Sequence, residues 1–270
     1  MRILIKGAGD IASGIAYRLQ KSGFTVVMTD LPKPTAIRRT VCFSEAIVRG
    51  STAIEGVTAR FADGCGSVPA ILRAGEIPVL ADPEASCIEV LRPDAVIDAI
   101  LAKRNIGTRI TDAPCVVAVG PGFAAGTDCH AVVETMRGHT LGRVIYDGEA
   151  IPNTGVPGPI GGFSIERLLR APCDGEFRAI KRIADTVARG DIVAYVGEEP
   201  IQAGIDGVLR GLLPDGAAVY KGMKSGDIDP RCEVEHCYRI SDKALAVAGG
   251  VLEAVLALTK GDWQWTKASV

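Results

Sequence analysis

The sequence predicts an α/β protein in which a doubly wound parallel sheet is followed by a small all-β unit and a C-terminal helix. Three observations predict it: a β-α-β unit of about 30 residues at the start, short continuous apolar runs bounded by Pro, Asp or Gly through the middle, and an internal repeat after Gly162.

Arg2 to Ile5 is apolar-rich and reads as a strand. Gly7-Ala8-Gly9-Asp10-Ile11-Ala12 then turns tightly into a helix running to about Ser22, and Gly23 supplies its left-handed stop. The β-branched and apolar run Thr25 to Thr29 forms the next strand and ends at Asp30. Later runs at Ile77 to Ala81, Ala95 to Leu101 and Cys115 to Val119 have the character of buried parallel strands. These elements predict a Rossmann-like sheet over residues 1–165.

The repeat has an offset of 32 residues: Ala171, Asp174, Gly175, Arg178, Val187 and Gly190 recur as Ala203, Asp206, Gly207, Arg210, Val219 and Gly222. Each half reads as a strand, an Asp-Gly turn, a second strand and a Val-x-x-Gly turn, so the halves are expected to interlock as hairpins around one core. The pattern resembles the barrel-sandwich hybrid of biotinyl and lipoyl carrier domains, which predicts a barrel-sandwich-like domain over 166–232. Those carriers bear a modified lysine on the turn joining the halves, where this chain has Val196-Gly197-Glu198-Glu199-Pro200, so no carrier role follows. Ser241-Asp242 is a good N-cap for an Ala/Val/Leu helix to Leu258, within a segment 233–270 expected to dock on the first domain. Gly249-Gly250 interrupts that helix at about 1 kcal/mol per glycine, which predicts close packing against another backbone.

Apolar residues make up 47% of the chain and charged ones 23%, an ordinary globular balance. A formal charge of −2 gives no broad basic footprint, so nucleic acid is not an expected partner. Lys6 and Asp10 break the first apolar stretch, and Ala244 to Leu258 is too short to span a bilayer, so a cytoplasmic protein without membrane contact is expected. Eight cysteines lack CxxC spacing and read as buried thiols.

The candidate chemistry lies in two places. Gly7-x-Gly9-x-x-Ala12, between strand and helix, suits a pyrophosphate at the helix N-terminus, and Asp30 stands where an acid would accept from a ribose hydroxyl. Asp10 belongs to the same turn. Asp30 favours NAD, whereas Arg38 or Arg39 could meet a 2′-phosphate; a βα turn with no dinucleotide is the structural alternative. Asp98 and Lys103-Arg104-Asn105 follow a buried run at the carboxyl end of the sheet and could hold a phosphate or carboxylate. The second place is 120–162, with ten glycines and two of the three histidines, a composition that brings backbone close to a ligand or another segment. Gly120 and Gly122 open it, and His130 and Glu134, four apart, share a face as candidate acid/base groups beside the Cys129 thiol. No HExxH or cysteine-rich partner completes a zinc set, so no metal is expected.

Taken together, IKGAGDIASGIAYRL, DAILAKRNIGTRI, VGPGFAAGTDCHAVVETMRGHTLGRVI, PNTGVPGPIGG, GVLRGL, GDIDPR and ISDKALAVAGGVLEAVL resemble the YqeB-type accessory proteins of selenium-dependent molybdenum hydroxylases. The resemblance implies a cytosolic maturation factor with a Rossmann fold similar to that of XdhC/CoxI proteins, and a molybdenum hydroxylase as partner. It implies NAD(P) or a molybdopterin dinucleotide as ligand, with cofactor insertion or selenylation as the role. Self-association is compatible with it. The alternative is an NAD(P)-dependent oxidoreductase with His130 as acid/base.

Overall fold

In a computed structural model, residues 1–259 are described. The first part of the chain builds a nine-stranded sheet from β1 (Arg2–Lys6), β2 (Thr25–Asp30), β3 (Ser51–Ile54), β4 (Val57–Ala62), β5 (Ile77–Ala81), β6 (Ala95–Asp98), β7 (Cys115–Val119), β9 (Ala131–Val133) and β10 (Val144–Ile145). Its order is β10-β9-β7-β6-β1-β2-β5-β4-β3. The strands from β9 to β4 run parallel, and β10 and β3 close the two edges antiparallel. A two-stranded ribbon, β8 (Ala124–Ala125) with β11 (Gly148–Glu149), lies apart from the main sheet.

Side chains alternate across the sheet, so Ile3, Ile5 and Ile97 face one core while Leu4, Val96 and Val116 face another. The first core is closed by α1 (Asp10–Lys21) and α5 (Asp242–Leu258). The second lies under α3 (Val68–Arg73) and α4 (Ile88–Leu91), and α2 (Glu45–Arg49) precedes β3.

This is not the doubly wound Rossmann-like sheet expected from the sequence. A doubly wound sheet carries helices in its crossovers on both faces. Here α2, α3 and α4 have 5, 6 and 4 residues, and 99–114, between β6 and β7, forms no helix. The apolar run read as continuing to Leu101 leaves the sheet at Asp98. Leu101 and Lys103 both take left-handed backbone, with φ of 62° and 65°, and the Asn105 carboxamide binds the Gly107 and Thr108 amides, so the segment folds into a tight loop.

The second part contains β12 (Leu168–Arg170), β13 (Gly175–Ala179), β14 (Thr186–Val187), β15 (Ile192–Val196), β16 (Glu199–Gln202), β17 (Gly207–Leu212), β18 (Ala217–Val219) and β19 (Lys224–Asp229). They form two four-stranded sheets, β12-β19-β17-β14 and β16-β15-β13-β18, around a core of Leu169, Phe177, Val193, Leu209 and Ile228. A shift of 32 residues maps one strand order onto the other. The sheets are joined to the first part by one backbone and one side-chain bond: Leu212 N–H donates to Ile37 C=O at 2.8 Å, and Arg39 Nε donates to Leu212 C=O at 2.9 Å. The chain is thus strand-rich and helix-poor, and the expected pairing of a Rossmann-like sheet with a barrel-sandwich-like domain is corrected accordingly.

At the C-terminus, the Ser241 hydroxyl accepts the Ala244 N–H and caps α5. Gly250 meets another backbone: a Cβ there would lie 2.1 Å from the Gly142 carbonyl oxygen. Gly249 has open space. Among the described residues no helix is long and apolar enough to cross a membrane. The segment 260–270 of the expected docking region lies outside the described residues.

Candidate anion-binding cleft

The carboxyl edge of the sheet is organised around the start of α1. Gly7, with φ of 96°, packs so closely that a Cβ would sit 3.0 Å from the Ala99 carbonyl oxygen. Gly9 is the N-cap of α1, carries no side-chain cap, and has no atom within 4 Å of the place a Cβ would take. The positive end of α1 therefore has no side-chain cap, and the space beside Gly9 is open. The start of α5 lies alongside, since a Cβ on Gly14 would touch the Ala244 Cβ at 2.7 Å. Two helix N-termini converge there.

Three lysines surround this place. Lys243 is the second residue of α5, Lys224 begins β19, and Lys103 sits on the loop after β6. Among the described residues none of the three side chains forms an ion pair or a hydrogen bond. The Asp227 and Asp10 carboxylates act on Lys224, and Lys103, Arg137 and Asp10 act on Lys243. Lys103 and Lys224 are exposed residues and Lys243 is half-buried; partial desolvation holds each ammonium below the usual lysine range, and for Lys243 the neighbouring Lys103 and Arg137 push it further down. The nearby acids are engaged. Asp10 accepts two bonds from Arg38 Nη1 at 3.0 and 2.9 Å, and Asp242 takes a two-pronged bond from Arg137 at 2.8 and 3.0 Å. Those bonds from Arg137 hold the Asp242 carboxyl at about 2.

The loop carrying Lys103 is anchored from below. Lys6 Nζ donates to Thr108 Oγ1 at 2.6 Å, Thr108 Oγ1 donates to Asp98 Oδ2 at 2.5 Å, and all three residues are buried. Asn105 also reaches Asp128, whose carboxylate accepts the Ala124 N–H. Gly122 supports the loop from the side, because a Cβ there would fall 2.5 Å from the Arg104 Cα. Gly120 packs in the same way on Thr135. The loop carrying Lys103 is therefore held on a fixed frame.

The other residues singled out from sequence have different places. Asp30 accepts the Ala8 and Leu31 N–H groups, both at 2.7 Å, so its oxygens hold the chain's own turn; burial raises its pKa. Arg38 also donates to the His236 and Arg239 carbonyls, and Arg39 to Leu212, which leaves neither guanidinium turned to a 2′-phosphate. Ala12 is buried in the helix-to-sheet contact, and Arg104 is exposed. His130 and Glu134 flank β9 at opposite ends, about 13 Å apart at the usual rise per residue. Glu134 lies buried and binds the Thr135, Met136 and Ile151 amides, a staple for the turn. His130 Nδ1 accepts the Val116 N–H at 3.0 Å on the amino side of the sheet. Cys129 is fully buried, and burial pushes its thiol up to about 12, so it is an inert core group. Among the described residues no three His, Cys, Asp or Glu side chains gather to hold a metal ion. His130→Ala is expected to leave anion affinity unchanged and to cost stability about 1 kcal/mol for the lost bond, which titration calorimetry and thermal unfolding would check.

Lys224 and Lys243 escaped the sequence reading. Lys243 had a local signal, a lysine in the first turn of a helix where the dipole disfavours a cation. Lys224 had none.

No protein-family model matches the chain. Over 256 residues it is 52% identical to YqeB of Escherichia coli, described as an uncharacterized protein, over 95% of this chain and 47% of that one. The likeness is to YqeB over that span and carries nothing about selenium or molybdenum. The chain spans about half the length of the curated relative it matches. Similar solved structures include an aspartoacylase family protein from Mesorhizobium loti, at 14% identity and a TM-score of 0.27 over 84% of each chain. They also include the ectoine utilization protein EutE (DoeB) from Ruegeria pomeroyi, at 12% and 0.26, and a succinylglutamate desuccinylase from a Silicibacter species, at 14% and 0.25, each again over 84% of both chains. At these scores the likeness transfers neither a fold nor an activity. Asp30, Arg38 and Arg39 are bound internally, so the dinucleotide-reading side chains on which the expected maturation-factor role and the alternative NAD(P)-dependent oxidoreductase both relied are taken up by the chain itself, and both readings are corrected.

Proposed function

We propose that the protein binds a small molecule carrying two or more negative charges, carboxylate or phosphate, in the cleft at the joined starts of α1 and α5. One observation carries this reading: the side chains of Lys103, Lys224 and Lys243 form no ion pair among the described residues, Lys224 and Lys243 both feel the Asp10 carboxylate in the first turn of α1, and that helix has no side-chain cap. Each helix end contributes about half a positive charge. Gathering like charges costs free energy, and a bound anion removes that cost while giving the free N–H groups an acceptor. Several charges on the ligand match the count of uncompensated cations, and a single carboxylate does not.

The test uses the full chain at low ionic strength with citrate and inorganic phosphate, against acetate as the single-charge control. Citrate and phosphate are expected to raise the unfolding temperature in proportion to the logarithm of concentration, and acetate to have no effect. The shift should shrink as salt screens the cleft. Equal response to all three anions, or to none, overturns the reading.

A further inference from the structure

We infer that the loop 155–162 is a strap over a second anion site, in which a tetrahedral dianion, phosphate or sulfate, takes the Nε–Nη2 edge of Arg167 in place of the Gly158 carbonyl. A buried donor without an acceptor carries this. Arg167 is 6% exposed, and its Nε is buried with no hydrogen-bond partner among the described residues. Nη1 is taken by the Asp227 carboxylate, whereas Nη2 makes a long contact of 3.4 Å to the Gly158 carbonyl oxygen. A guanidinium presents Nε and Nη2 as two parallel donors that match two oxygens of a phosphate or sulfate. Leaving that edge unpaired in the interior costs free energy, and an oxyanion in place of the distant carbonyl removes the cost.

The surrounding charge selects a dianion. Arg210 meets Asp227 and Asp229, Arg231 meets Asp229, and Arg137 meets Asp242. Arg210 and Arg137 both act on Arg167, and the Lys224 ammonium feels Arg167 and Arg210. Asp10, which also acts on Lys224, is matched by Arg38. Four guanidinium groups and one ammonium thus stand against three carboxylates, Asp227, Asp229 and Asp242, an excess of two positive charges. The strap is made to lift. Pro157 and Pro159 stiffen its middle, while Gly155, Gly161 and Gly162 hold left-handed backbone at its ends, with φ of 71°, 56° and 86°. It touches the body through small residues: a Cβ on Gly158 would lie 2.9 Å from the Arg137 Cδ, and one on Gly161 would lie 3.0 Å from the Pro230 Cγ. Lifting at Gly158 opens the Arg167 edge and withdraws only the long contact from it. That edge is not among the donors of the α1–α5 cleft, so the two sites are tested apart.

The experiment follows hydrogen exchange of the full chain with sulfate, phosphate or acetate, at an ionic strength held constant with chloride. Sulfate and phosphate are expected to change exchange across 155–162, and acetate, with one charge, to leave it as it is. Arg167→Lys keeps a cation for Asp227 but removes the two-donor edge. The sulfate concentration that gives half the change should rise roughly 10-fold to 100-fold in that variant, the range for a hydrogen bond to a charged group. Thermal unfolding checks that the variant is folded, and if it is not, the response of the parent decides. No change across 155–162 with either dianion, an equal change with acetate, or a folded Arg167→Lys that responds at the parent's sulfate concentration overturns the site.

Discussion

Asp227→Ala is expected to destabilise the protein by about 3–5 kcal/mol, the range for breaking a buried ion pair from one side. Asp227 is 1% exposed and bridges two guanidinium groups, Arg167 through Oδ1 and Arg210 through Oδ2. Arg210 continues to Asp229 at 3.3 Å, and Asp229 accepts from Arg231 at 2.6 Å. Burial alone would raise the Asp229 carboxyl, but the bonds from Arg231 outweigh it and bring it down to about 2. Removing Asp227 leaves two cations in a space that already pushes the Arg167 guanidinium down by burial. At the usual entropy of unfolding for a chain of this size, the fall in midpoint would be roughly 6–20 °C. Differential scanning calorimetry reads it directly. A drop of under about 1 kcal/mol would show that water screens the cluster as it does a surface pair.

The strands were legible from sequence because a buried parallel strand declares itself by a short apolar run: Ile77 to Ala81 and Cys115 to Val119 appear as β5 and β7 with those limits. Helix content was not legible from such runs. They predict that a crossover exists, but not whether it contains a helix or, as in 99–114, a loop fixed by Asn105 and by left-handed Leu101 and Lys103. The i, i+4 spacing of His130 and Glu134 misled for a related reason. The spacing places two side chains on one face, yet a short strand between them sends one to each end of the sheet.

The cleft was legible only in part. Gly9 and Lys103 could be picked out because a βα turn and a polar cluster after a strand both lie at the carboxyl edge. The other two lysines come from the repeat-containing sheets and the C-terminal helix, and only tertiary packing gathers them. A lysine at a strand start or helix start is ordinarily a solvated end. Lys224 is such an exposed end and Lys243 is half-buried; their shared exposure to the Asp10 field is set by tertiary packing, which no sequence window shows.

Lys224→Met tests that distinction, with binding and stability expected to move in opposite directions. A hydrogen bond to a charged group contributes about 1.5–3 kcal/mol, so affinity for citrate should fall by roughly 10-fold to 100-fold. The unliganded variant should be as stable as the parent or more so, because the ammonium it loses is disfavoured in the folded state. The sign follows from linkage. An amine whose folded pKa is depressed destabilises the fold where it must be charged, and that cost disappears as pH rises through the folded value toward the ordinary lysine value. The parent should therefore gain stability relative to Lys224→Met as pH climbs across that alkaline window, while its hold on citrate weakens over the same range. Bound citrate should reverse the shift by giving the ammonium a partner, so the parent complex should take up protons on formation near the depressed pKa. Calorimetry in buffers of different ionisation enthalpy measures that uptake. A variant that binds citrate as tightly as the parent would remove Lys224 from the cleft. One that loses binding and stability together would make Lys224 a structural residue.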